Sequence, residues 1–274
     1  MKFNLILAYQ NLKDYIERGV GEDNWNETMI EPYWETLTEG APFPMDHMKP
    51  MCQMSIEEAK EQLELLDKIN WEAYMTVFED IGRKLPKEED EIINIAIYPS
   101  TTSMPEGVYG TGVWGNIILN INPLQKAFEQ WIPFVFAHEY HHSVWGDYWY
   151  CKKEGKELDQ SFLQMMIIEG QADYFAMSLY ENLIPSWQKG VSKEKEIQVW
   201  KKIESVMHQV MSPEQYANYM FGNKEMSIPE NAGYYYAIRI IKAYMKQHEG
   251  MTCEELLKIM PNEIYKESQY GLSL

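Results

Sequence analysis

Residues 134–145, FVFAHEYHHSVW, constrain this chain more than any other stretch, because they set two imidazoles and a carboxylate at fixed angles. An apolar run enters the segment, Pro133 suits a first helical position and Gly146 suits the position just past a last turn, so the segment is expected to be a helix. On a helix His138 and His142 share a face one turn apart. Glu139 is turned about 100° around the axis from His138, better placed to hold a water than to bind an ion. This is the H-E-x-x-H pattern, in which two His hold Zn2+ and the Glu serves as general base.

A zinc site needs a third protein ligand. Residues 165–176 read as a second buried helix, apolar except for Glu169, Gln171 and Asp173. Glu169 and Asp173 lie four apart, and two carboxylates in an apolar helix are costly unless each has a cation, a metal or a donor. If Glu169 ligates zinc, Asp173 one turn away can accept the free ring N–H of a ligating His.

His138-Glu139-x-x-His142 followed by Glu169-x-x-x-Asp173 resembles the gluzincin metallopeptidases. The wording HEYHH and EGQAD, with a later Gly233-Tyr234, is similar to a bacterial domain-of-unknown-function family of predicted zinc-dependent proteases, over roughly residues 92–245. The gap between His142 and Glu169 is longer than in thermolysin-like members, and the polar insert at 155–160 is placed to absorb it. The resemblance implies a zincin-like fold, His138, His142 and Glu169 as ligands, Glu139 as base, and Asp173 orienting His138.

Hydrophobic residues make up 45% of the 274 and aromatics 14%, ample for a buried core. A formal charge of −18 argues against a nucleic-acid or anionic-membrane partner, since both require positive potential. The same charge would suit basic peptides, or serve only as a solvated surface. Cys52, Cys151 and Cys253 are scattered and odd in number, so neither a disulfide framework nor a thiolate zinc site is expected. With no signal-like leader and no membrane-length apolar run, the expected location is cytoplasmic, although a chain trimmed of its export signal would look the same.

The fold class expected is α+β and mostly helical, with a small sheet beside the H-E-x-x-H helix. Residues 1–90 are expected to be an N-terminal helical region, beginning with a helix over 4–18, and 91–274 the catalytic region, the two packed as one compact unit. Ser55 and Glu58 form a capping box. The acidic run 88–91 reads as a solvated linker. Residues 92–98 read as a strand, followed by a glycine-rich strand pair. A peptidase must hold an extended substrate, and a sheet edge can do so, which makes Val113, Trp114, Gly115 and Asn116 the candidate substrate edge, or else a bulged structural hairpin. Asn122 and Pro123 are expected to open a helix. A donor is also needed for the oxyanion on the scissile carbonyl, and gluzincins often supply Tyr or His downstream. Tyr234 is the first candidate and Tyr235 the second, with packing as the alternative.

Three competing readings meet different obstacles. A di-iron bundle needs a second Glu-x-x-His, and none of His47, His208 and His248 has a Glu three positions earlier. Pairing His138 with His141 abandons the spacing for which Glu139 is placed. A non-catalytic zinc-binding regulatory protein would leave Glu139 unexplained, since structural zinc is usually closed by four protein ligands. A zinc peptidase acting on peptides or proteins is therefore the expected function, with a non-catalytic zinc-binding regulatory or interaction protein, or a zinc amidohydrolase acting on a non-peptide substrate, as the alternative.

Overall fold

Asparagines mark the register of the sheet that opens the chain. In the computed structural model, which describes residues 2–87, 92–152 and 158–272, β1 (Lys2–Ile6), β2 (Ile92–Pro99), β3 (Val108–Val113) and β4 (Asn116–Ile121) form a sheet of order β1-β2-β4-β3. β1 pairs parallel with β2 and β2 with β4, while β3 is antiparallel to β4. Asn4 donates to Asn94 Oδ1 at 2.8 Å, and Asn94 donates to Asn116 Oδ1 at 3.1 Å. This side-chain ladder crosses three parallel strands and fixes them against slippage by one residue. The fold is α+β and mostly helical, as expected.

The N-terminus departs from expectation. Residues 4–18 are not one helix: Lys2–Ile6 is a strand, and the helix begins at Leu12. Leu5 seemed in helical phase with Leu12, Tyr15 and Ile16. Pairing with β2 imposes a period of two instead, with Phe3 edge-on to Phe136 at 5.5 Å and to Tyr140 at 5.7 Å. The acidic run 88–91 lies outside the described residues, as does 153–157, which includes half of the polar insert.

The chain divides into two compact units, Met1–Asp147 and Tyr148–Leu274. The first 90 residues contribute a strand, β1, to the sheet as well as helices. In the first unit one sheet face, including Ala96, Tyr98, Val113 and Ile118, packs on N-terminal helical residues Leu12, Tyr15, Trp25 and Met29. The other face carries helix Phe128–Gly146, which lies against β3 and β4.

That helix is a single element of 19 residues with Pro133 inside it, rather than starting there. Proline leaves the carbonyl four residues back without its helical N–H. Here that carbonyl is Glu129 O, and the Tyr74 hydroxyl donates to it at 3.0 Å. Burial, with the Glu129 charge, pushes the Tyr74 pKa up to about 12, so the hydroxyl stays a donor. Asn122 does not cap a helix but accepts from Leu124 N at 3.1 Å in an Asx turn.

The second unit is helical. Phe162–Leu179 and Ala232–Gln247 are its longest helices, sharing a core with Met166, Ile167, Trp200, Ile203, Tyr236 and Ile240. They meet at Gly170, where a Cβ would lie 2.6 Å from Ala237 O. Among the described residues, no helix is long and apolar enough to cross a membrane.

Candidate metal centre

Helix Phe128–Gly146 is buried almost all the way round, as a central helix with apolar residues on every face should be. Its polar residues are therefore costly to keep. His138 and His142 project from one face as predicted, with rings edge to face and their Nε2 atoms 3.0 Å apart. His141 points elsewhere, its ring centroid 6.2 Å from that of His142. The i, i+4 pair, not the i, i+3 pair, is the one with converging nitrogens.

Glu139 is 7% exposed and reaches towards β3. A Cβ on Gly110 would sit 2.1 Å from Glu139 Cγ and 2.5 Å from Oε1, so the carboxylate occupies the space that a side chain at 110 would fill. The next residue on that strand face, Gly112, would place a Cβ 3.6 Å from Oε2, an ordinary contact.

The predicted substrate edge is the turn of the β3–β4 hairpin. Val113 pairs with Asn116, and Trp114 and Gly115 have φ of 43° and 83°, so this is a two-residue turn of the type I′ kind and not a bulge. Glycine takes such a φ freely, but tryptophan does so at a cost. Ser143, one residue after His142, donates to Gly115 O at 2.6 Å and ties the turn to the helix. Val113 is buried, and Asn116 donates to Leu37 O at 2.8 Å and accepts from Asn94 N at 2.8 Å. These residues hold the hairpin together. β3 is the outer strand on this side of the sheet. In a pair closed by a two-residue turn, ladder bonds fall at Val113, Thr111 and Tyr109, which leaves the N–H and C=O of Gly110 and Gly112 facing the edge.

Glu169 and Asp173 lie on helix Phe162–Leu179 in the second unit. Asp173 is fully buried and accepts from Gln188 Nε2 at 2.8 Å and from Trp187 Nε1 at 3.1 and 3.2 Å. No sequence motif marks Trp187 as a carboxylate's partner. Tyr216 was missed as well. Burial and the Glu169 charge together hold its hydroxyl pKa well above the ordinary value, which keeps it protonated.

Of the three adjacent tyrosines, Tyr235 donates to Glu196 Oε1 at 3.0 Å beneath the Arg239 guanidinium, and Tyr236 donates to Glu196 O at 2.7 Å. Both are buried, whereas Tyr234 is half-buried, its ring 6.0 Å from that of Phe221. Tyr235 is thus held within the core, and Tyr234 packs against the edge of the same core.

His138, His142 and Glu169 are a group of described side chains that could hold a metal ion, each offering one ligand atom. A family model described as "Predicted Zn-dependent protease (DUF2268)" matches residues 71–266, wider at both ends than the 92–245 expected. No curated protein and no solved structure matches the chain.

Proposed function

From the premise that the chain belongs to the DUF2268 family of predicted Zn-dependent proteases, we propose that it is a zinc-dependent peptidase acting on peptides or proteins, with His138, His142 and Glu169 as ligands. The observation that carries this reading is the pair of Nε2 atoms 3.0 Å apart beside a buried Glu139. Two nitrogens bound to one tetrahedral zinc at the usual length lie about 3.3 Å apart, so the pair fits the ion after a shift of a few tenths of an ångström. Bound there, zinc supplies a water of lowered pKa and polarises a carbonyl.

The chain's own residues do the rest. Glu139 takes a proton from the attacking water and delivers it to the leaving amine. Tyr234 donates to the oxyanion. Asp173, anchored by Trp187 and Gln188, accepts the outer ring N–H of His138 and fixes its tautomer. An extended substrate adds to the free edge of β3 beside Gly110 and Gly112. Three protein ligands leave a position for water, which a closed structural zinc site would not.

The test is metal analysis with peptide-library digestion. The purified chain should carry one zinc, cleave when loaded, stop when stripped by a chelator and recover on zinc addition; Glu169→Ala should lose the zinc. Stoichiometric zinc without cleavage of any peptide would favour a non-peptide amide substrate or a non-catalytic zinc protein.

A further inference from the structure

We infer that Gly110 is a positioning residue for the general base: its missing side chain is the seat of the Glu139 carboxylate. The inference deepens the peptidase reading and rests on it for its kinetic consequence, although the seat itself is a packing claim.

Three observations lead to it. Gly110 lies in the middle of β3, where glycine is unfavourable, and its φ is not among the positive ones, so backbone conformation does not demand a glycine there. Space does. A Cβ at 110 would lie 2.1 Å from Glu139 Cγ, 2.5 Å from Cδ and 2.5 Å from Oε1. Closest is the stem of the side chain, not its tip, so turning the carboxylate about its last bond gives no relief. Glu139 must leave its rotamer, and its helix restricts the alternatives. The backbone of β3 cannot easily give way either. It is held by the ladder to β4, by the turn at Trp114 and Gly115, and by Ser143 on Gly115 O.

The same residue turns its N–H and C=O to the sheet's free edge. Gly110 thus sets the carboxylate by its missing side chain while offering its main chain to an extended substrate. A displacement of the order of 1 Å is enough to cost about 10²-fold in rate.

The test is a double-mutant cycle on thermal stability, run beside kinetics. Gly110→Ala should lower Tm by roughly 5 °C through overpacking, and most of that loss should vanish in a Glu139→Ala background, where Cγ and the carboxylate are gone. Gly112→Ala, placed for ordinary contact, should show no such coupling. For a chain that cleaves peptides, Gly110→Ala should retain zinc and lower kcat by about 10²-fold with KM within about threefold. An equal Tm loss in both backgrounds would overturn the seat, whatever the activity. Coupled stability in a protein that cleaves nothing would leave the seat standing and remove the peptidase reading alone. Coupled stability with unchanged kcat would overturn the positioning role.

Discussion

Buried carboxylates separate the functional residues of this chain from its packing. Glu139 and Asp173 are both nearly or wholly inaccessible, and neither could remain so without partners. Their spacing was legible from the sequence because helical period converts numbers into directions; the shared face of His138 and His142 follows from that rule, and their rotamers set the 3.0 Å between the Nε2 atoms. What was not legible is how each carboxylate is seated. Glu139 rests against a glycine 29 positions earlier and Asp173 against a tryptophan and a glutamine of a short turn, contacts that no local pattern encodes. The tyrosines belong to the same scale. Tyr235 and Tyr236 are engaged by Glu196, and Tyr234 is the proposed oxyanion donor. Tyr234→Phe is therefore expected to lower kcat by roughly 10²–10³-fold with zinc retained. An unchanged rate would assign Tyr234 to packing and turn attention to Tyr216, the protonated tyrosine near Glu169.

In two elements a distant partner overrides a local signal. Pro133 reads as a helix start, but Tyr74 takes the carbonyl that the proline frees, so the helix runs on to His138 and His142 without interruption. Lys2–Ile6 reads as helix until β2 pairs with it. The reverse holds for Gly170, whose place inside an apolar helix gave no hint that two helices cross there. A Cβ at that position would meet Ala237 O at 2.6 Å and Ile241 Cγ1 at 2.9 Å, and backbone does not yield as a side-chain tip does. Gly170→Ala should cost about 1–3 kcal/mol, seen as a lower urea midpoint at unchanged m. A variant as stable as the parent would mean that the helices can separate without loss.

At the scale of the molecule, the chain divides into two compact units, each holding a buried cluster of mixed aliphatic and aromatic residues, and the family match at 71–266 includes residues of both. The sequence reading sets a helical region before residue 90 and a catalytic region after it, packed as one compact unit. Composition does change there, but sheet pairing carries the first strand across it. The reading of the chain as a zinc peptidase depends on one residue doing one job: Glu139, poised as base and not as ligand. The measurement that tests this most directly is Glu139→Gln beside the parent, with zinc content and peptide-library cleavage read on the same preparations. The expected result is an equal zinc load and a loss of turnover by several orders of magnitude. Cleavage undiminished in the glutamine variant would contradict it.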